Sequence, residues 1–172
     1  MTSWRRDRIY LVGFMGSGKS SVGAALAREL GYRFVDLDQE IERRAGLEVA
    51  AIFERQGEAG FRRLEAAALR QTVEMHDVVV ATGGGTLTRR ENRELVQKNG
   101  LTVWLDAPLE VMLDRCRGGA RRPLLSTSDR MAALLDERLP AYRASDLRVS
   151  TRDVTPEQAA RAAAAQLASR LK

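Results

Sequence analysis

A glycine-rich segment near the start of the chain, residues 13–20, reads G-F-M-G-S-G-K-S and matches the pattern G-x-x-x-x-G-K-[ST]. The preceding segment, Arg8–Val12, is rich in β-branched and aromatic residues, as is typical of a strand. The following residues, 21–30, repeat apolar side chains at helical spacing and stop at Gly31. A strand, a glycine-rich loop and a helix in this order predict an anion-binding loop within an α/β fold.

The residue types in this loop suit a polyphosphate. Backbone N–H groups can wrap closely around phosphate only where glycine leaves room for the approach. Lys19 is expected to neutralise the β- and γ-phosphate oxygens as a catalytic residue, and Ser20 is expected to offer its hydroxyl to Mg²⁺. The positive end of the helix dipole points at the same phosphates. The sequence therefore predicts a nucleoside triphosphate site formed by Gly16, Ser17, Gly18, Lys19, Ser20 and Ser21.

Composition excludes several classes of protein. The 172 residues are enough for one domain that buries a core without disulfides. The single cysteine, Cys116, and the single histidine, His76, exclude a disulfide framework, a Cys/His metal site and a Ser-His or Cys-His nucleophile. The net charge is +5, but no run of like charges indicates a nucleic-acid partner. No stretch is apolar enough to span a membrane, so we expect a cytoplasmic protein.

Short apolar segments alternate with longer helical patterns along the chain. Strands are predicted at Arg8–Val12, 33–35, 77–82, 101–105 and Leu147–Ser150. Helices are predicted at 21–30, 39–46, 48–56, 58–75, 89–98, 108–117, 129–145 and 156–171. This alternation predicts an α/β fold with a five-stranded parallel sheet flanked by helices, and ligands at the carboxyl ends of the strands.

Polar residues and glycines follow the second and third predicted strands. Asp36 and Asp38 are separated by one residue, so we expect their side chains to point the same way, towards the γ-phosphate. One carboxylate could serve Mg²⁺, directly or through water, and the other could orient an acceptor hydroxyl or act as its base. Asp38 could instead cap the next helix. Gly83, Gly84 and Gly85 allow a ligand to approach the backbone, or form a loose turn.

Three further segments carry arginines. Arg62 and Glu65 share one face of a helix, most simply as a surface ion pair. Arg138 lies near the end of another helix. Residues 117–128 hold two glycines, three arginines and a proline, a composition typical of a mobile flap or of a solvated loop. Taken singly, each segment leaves its function open.

Taken in order, the motifs resemble those of the shikimate kinase family. They are G-F-M-G-S-G-K-S, D-L-D, F-R-R-L-E, T-G-G-G, R-P-L-L and R-L-P-A-Y-R, at matching spacings over essentially the whole chain. The resemblance implies one kinase domain over residues 1–172, with a nucleoside-monophosphate-kinase-like fold. It also implies a mobile lid at about 117–128 and a substrate-binding helical region at about 38–65. The implied reaction is transfer of the γ-phosphoryl group of ATP, with Mg²⁺, to the 3-hydroxyl of shikimate in aromatic amino acid biosynthesis.

The resemblance also assigns residues to the two substrates. Asp38 would hold the shikimate hydroxyls as base or orienter, while Arg62 and Arg138 would clamp the carboxylate. Asp36 would bind Mg²⁺ through water. Gly84, with its neighbours Gly83 and Gly85, would contact a ring hydroxyl through the backbone. Arg122 would close over the phosphates as a catalytic residue. Arg115 would lie beside the adenine.

Two alternative functions stay open at this point. A gluconate-type sugar-acid kinase would also need the glycine-rich loop and an arginine for a carboxylate, although F-R-R-L-E and G-G-G favour shikimate. The other alternative is a nucleotide-binding regulatory protein that has no catalytic activity. The presence of all the expected catalytic residues counts against it. We expect a monomer whose partners are the small molecules ATP and shikimate, with no nucleic acid, because the sequence lacks a basic stripe or an aromatic stacking platform.

Overall fold

The predicted strands form one parallel sheet in a computed structural model that describes residues 7–117 and 128–170. The strand order is β2-β3-β1-β4-β5. Their bounds are β1 (Arg8–Val12), β2 (Arg33–Asp36), β3 (Val78–Ala81), β4 (Leu101–Asp106) and β5 (Leu147–Ser150). The prediction of a five-stranded parallel sheet flanked by helices is confirmed, and each strand lies within one or two residues of its predicted bounds.

Seven α-helices lie in the part of the chain that the structure describes. They are α1 (Lys19–Leu30), α2 (Leu37–Ala45), α3 (Val49–Gln71), α4 (Arg90–Asn99), α5 (Leu109–Arg117), α6 (Ser128–Arg143) and α7 (Pro156–Ser169). The predicted helices at 48–56 and 58–75 are the two halves of α3, which bends at Gly57 because this residue has φ 68° and ψ −178°. Short 3-10 turns follow at Thr72–Glu74 and Thr86–Thr88.

The sheet separates two hydrophobic cores. Alternate residues of β1 face opposite sides, so that Tyr10 and Val12 pack among the helices from α2 to α6, while Ile9 and Leu11 pack against α1 and α7. Both faces of the sheet are therefore covered, as a parallel sheet requires. None of the described helices is long and apolar enough to cross a membrane.

The strand order determines where a ligand can bind. The chain leaves β1 through α1 to the edge strand β2, returns to β3, and then crosses to β4 on the other side of β1. Connections that leave neighbouring strands in opposite directions open a crevice at their carboxyl ends. The loops after β1, β2 and β3 meet at this crevice, and they carry the phosphate loop, the two aspartates and the three glycines.

Candidate active site

The loop after β1 presents backbone donors at the start of α1. Gly16 and Gly18 have φ values of 77° and 97°, in the left-handed region that glycine adopts without strain. Gly18 precedes α1, and no side chain in the described part of the chain caps the helix, so its first N–H groups remain available to an anion. The ammonium of Lys19 donates to the carbonyl oxygens of Gly13, at 2.8 Å, and Phe14, at 2.9 Å, and is thereby held beside these donors.

Ser17 supports the loop from beneath. Its side chain is fully buried, its backbone N–H donates to the Phe14 carbonyl at 3.1 Å, and its own carbonyl accepts from Oγ1 of Thr151 at 2.9 Å. The turn directs its side chain inward, towards Gly13, so the side chain helps to shape the loop. The predicted contact of Ser17 with nucleotide stays a prediction.

Arg115 on α5 joins the loop to the segment after β5. Its guanidinium donates from Nη1 to the Gly16 carbonyl at 3.1 Å and from Nη2 to the Thr151 carbonyl at 2.6 Å. The side chain therefore lies on the outer side of the phosphate loop, next to Gly18.

Ser20 and Asp36 form a hard-oxygen pair at the edge of the loop. The Ser20 hydroxyl donates to Oδ2 of Asp36, while Oδ1 of Asp36 accepts from the backbone N–H of Gln39 at 3.2 Å. Asp36 is thus the N-cap of α2 and Asp38 lies in its first turn, so the interpretation of Asp38 as a cap is wrong. The two carboxylates face one cavity because a helix begins between them, and not because they alternate along a strand.

A cavity of about 190 Å³ lies between these groups. Its walls come from the loop, from the start of α2 and from the end of β3: Gly16, Gly18, Lys19, Ser20, Ser21, Asp36, Asp38, Thr82, Gly83 and Gly84. Backbone donors and an ammonium on one side and carboxylates on the other suit a phosphate chain that carries a divalent cation.

The three glycines after β3 lie against charged side chains from other elements, and these side chains differ from one glycine to the next. A β-carbon on Gly83 would lie 2.9 Å from Oε2 of Glu65 and 3.3 Å from Oδ1 of Asp38. At Gly84 it would lie 3.2 Å from a guanidinium nitrogen of Arg138, and at Gly85 it would collide with the guanidinium of Arg62. Side chains from other elements pack directly against this backbone, so the interpretation as a loose turn is wrong.

Arg62 and Glu65 are a buried ion pair rather than the surface pair that their spacing suggests. Nη1 of Arg62 donates to Oε1 of Glu65 at 2.8 Å, and Glu65 has no solvent exposure. The kink at Gly57 turns the second half of α3 so that this face packs on the glycine turn. Arg62 keeps 15% of its side-chain exposure, on the side that faces a second cavity.

Arg138 reaches the same cavity from α6. It is 7% exposed, its guanidinium lies 5.6 Å from the ring centre of Phe14, and its Nε has no acceptor among the described residues. The neighbouring Tyr142 donates its hydroxyl to the Gly84 carbonyl at 2.6 Å. Burial raises the pKa of Tyr142 to about 12, so the hydroxyl stays protonated and keeps this hydrogen bond.

The second cavity is larger, about 460 Å³, and has one apolar wall. Arg62 and Arg138 lie against the glycine turn, and Val49, Phe53 and Phe61 form the apolar wall. Asp38, Gly83 and Gly84 line both this cavity and the phosphate cavity. The arrangement fits a small ring compound that carries a carboxylate at one end and a hydroxyl directed at the phosphates.

The comparisons with known proteins agree with this geometry. A family model described as "Shikimate kinase" matches residues 15–170. The chain belongs to the shikimate kinase family. A shikimate kinase from Persephonella marina is 45% identical over 151 residues, which cover 87% of this chain and 92% of that protein.

Solved structures show the same relationship. A shikimate kinase from Acinetobacter baumannii in complex with shikimate has a TM-score of 0.93 and 37% identity, covering 97% of this chain and 96% of that one. A gluconokinase from Sinorhizobium meliloti has a TM-score of 0.63 and 22% identity, covering 99% and 97% of the two chains. At that identity the likeness shows the fold alone. The predicted family, P-loop kinase fold and ATP-dependent kinase activity are confirmed, and the alternatives of a sugar-acid kinase and an inactive regulatory protein are not.

Some of the predicted kinase site lies outside the described residues. Arg122 and the R-P-L-L motif belong to residues 118–127, so the proposed lid at about 117–128 is represented by its two ends, in α5 and α6. The substrate-binding region at about 38–65 corresponds to most of α2 and the first part of α3.

The candidate site also contains residues to which the sequence alone assigned no role. Tyr142 lies one helical turn after Arg138, so its spacing could have indicated a shared function. Phe53 and Phe61 stack with ring centres 4.7 Å apart, although they lie on opposite sides of the bend in α3. Thr86 contacts Glu65, and nothing in the local sequence indicates this.

Proposed function

We propose that this protein transfers the γ-phosphoryl group of ATP to the 3-hydroxyl of shikimate. The observation that carries the proposal is that the phosphate cavity and the arginine-bearing cavity share Asp38, Gly83 and Gly84 along one boundary. A phosphoryl group leaving the first cavity would meet an acceptor held in the second.

The triphosphate would lie along the loop after β1. The N–H groups at the start of α1 and the Lys19 ammonium would stabilise the charge on the phosphates as it shifts during transfer. Arg115 would lie beside the nucleotide base, since it is fixed on the outer side of the same loop. Arg122 would add a positive charge on closure, and exclusion of water would favour the acceptor over hydrolysis.

Ser20 would hold Mg²⁺ directly, and Asp36 would hold it through water. A hydroxyl and a carboxylate are the hard oxygen donors that this ion takes, and phosphate oxygens and water complete its shell in kinase sites. The described residues contain no cluster of three or more acidic, histidine or cysteine ligands, which agrees with a metal that is bound largely through the nucleotide. The ion would neutralise phosphate charge. The capping bond to Gln39 fixes the Asp36 carboxylate beside Ser20.

Shikimate would lie with its carboxylate between Arg62 and Arg138 and its ring against Phe53 and Phe61. Asp38 would accept the proton of the 3-hydroxyl as the new oxygen–phosphorus bond forms and the bond to the β-phosphate oxygen breaks, which releases ADP. The Gly84 backbone, fixed by Tyr142, would limit how the ring can rotate.

A coupled assay of ADP release tests the proposal. With ATP and Mg²⁺, we expect turnover with shikimate and none with quinate or gluconate, because the two arginines and Asp38 fix the distance between carboxylate and hydroxyl. Turnover with gluconate alone would favour the sugar-acid kinase, and ATP binding without turnover on any of the three would contradict the proposal.

Arg138→Ala tests the carboxylate clamp. Because a charged hydrogen bond contributes about 1.5–3 kcal/mol, we expect the KM for shikimate to rise by about 10–100-fold, with a smaller change in kcat and in the KM for ATP. Arg143→Ala is the control, since Arg143 is exposed in the last turn of the same helix. An unchanged KM for shikimate in Arg138→Ala would remove this residue from the clamp.

Four further expectations stay predictions: the single domain with its lid, the monomeric state, the absence of a nucleic-acid partner and the cytoplasmic location. The proposed reaction requires only ATP, Mg²⁺ and shikimate as partners.

A further inference from the structure

Thr86 lies behind the carboxylate clamp and is fully buried. It begins the 3-10 turn that follows the three glycines, and its hydroxyl donates to Oε2 of Glu65 at 2.8 Å. The other oxygen of Glu65, Oε1, accepts from Nη1 of Arg62 at 2.8 Å. Hydrogen bonds therefore run without interruption from the threonine hydroxyl to the guanidinium that lines the larger cavity.

Glu65 needs a second partner to stay in place. Its side chain has no contact with solvent, so donors from the protein determine how the carboxylate is oriented. Arg62 and Thr86 bind its two oxygens from different sides. Without the Thr86 hydroxyl, Oε2 loses that donor, the carboxylate can rotate, and the guanidinium bound to Oε1 moves with it.

Thr86 is itself fixed by groups outside the clamp. Its carbonyl accepts from Nδ2 of the buried Asn92 on α4 at 2.9 Å, and its N–H donates to the Gly83 carbonyl at 3.2 Å. Its hydroxyl is therefore a fixed point, set by α4 and by the glycine turn, against which the Glu65 carboxylate is oriented.

We propose that Thr86 is a positioning residue: its hydroxyl orients Glu65 so that Arg62 presents its guanidinium to the substrate carboxylate. This inference rests on the proposed function, in which Arg62 binds that carboxylate. Thr86 then influences binding of the carboxylate substrate, while phosphoryl transfer and ATP binding depend on other residues.

Two substitutions separate the hydroxyl from the bulk of the side chain. Thr86→Val keeps the shape and removes the donor, whereas Thr86→Ser keeps the donor. We expect Thr86→Val to raise the KM for shikimate about tenfold, with kcat and the KM for ATP little changed, and Thr86→Ser to restore the wild-type KM. Thr72→Val is the matched control, because Thr72 is a buried threonine with hydrogen-bonded hydroxyl at the far end of α3.

A double mutant tests the route through Arg62. Thr86→Val should add nothing to the KM for shikimate in an Arg62→Ala background. An unchanged KM in Thr86→Val, with a raised KM in Arg62→Ala, would overturn this inference and leave the proposed function standing. An unchanged KM in Arg62→Ala would overturn the proposed clamp itself.

The remaining outcomes also decide the question. If Thr72→Val raised the KM for shikimate as much as Thr86→Val does, the loss of any buried hydroxyl would have this effect, and the inference would be overturned. Thermal unfolding identifies a variant that does not fold. If Thr86→Val fails to fold, Thr86→Ala compared with Thr86→Ser provides the same test. A raised KM for shikimate in Thr86→Ala that Thr86→Ser does not show supports the inference. A wild-type KM in Thr86→Ala overturns it.

Discussion

Asp38→Asn is expected to lower kcat by about 10²–10⁴-fold while the protein stays folded, because asparagine keeps the shape of the side chain but cannot take the proton of the acceptor hydroxyl. Asp38 lies in the first turn of α2 and lines both cavities, so no other described carboxylate has the same position. Steady-state kinetics with saturating shikimate and ATP measure the loss, and thermal unfolding confirms the fold.

Glu40→Gln is the control for this change. Glu40 lies in the same turn of α2, so the substitution removes the same charge from the same helix end. Its carboxylate lines neither of the two cavities and binds Arg43, at 2.7 Å, and Arg44, at 2.5 Å, which lower the pKa of Glu40 to about 2. We expect wild-type kcat in Glu40→Gln. Wild-type kcat in Asp38→Asn would remove Asp38 from the proton transfer.

Most of the fold could be predicted because its signals are local. Arg8–Val12 and Leu147–Ser150 are strands with the predicted bounds, since the first is a mostly apolar run and the second alternates apolar and polar residues. Gly57 separates two helical patterns in the sequence and is the point at which α3 bends. Alternating strands and helices then leave few topologies other than a parallel sheet, with its ligands at one end.

The errors concern contacts between distant segments. Spacing shows that Arg62 and Glu65 share a helical face, but not that the glycine turn covers this face and buries the pair. Asp36 takes the capping position because the helix begins one residue after the strand ends, and boundaries of this kind depend on tertiary packing. The three glycines are explained only by the side chains of Asp38, Glu65, Arg62 and Arg138, which come from other elements.

The two cavities are built largely from different elements. The phosphate loop joins β1 to α1, and Asp36 ends β2. The larger cavity is lined by α2, α3, the glycine turn and α6, and under the proposed function its two arginines bind the substrate carboxylate. Acceptor specificity is therefore expected to change through α3 and α6, because these two helices line the larger cavity and not the phosphate cavity.

Lys19→Met is expected to lower kcat by about 10²–10³-fold and to weaken ATP binding, because the ammonium stabilises phosphate charge that grows during transfer. The Gly13 and Phe14 carbonyls lose their donor, so we also expect the melting temperature to fall by a few degrees. Lys98→Met is the control, since Lys98 is exposed in the last turn of α4 and lines neither cavity. Steady-state kinetics and calorimetric titration with ATP measure both effects. A wild-type kcat in Lys19→Met would contradict this role of Lys19. The backbone donors and the other cations would then account for stabilisation of the phosphate charge.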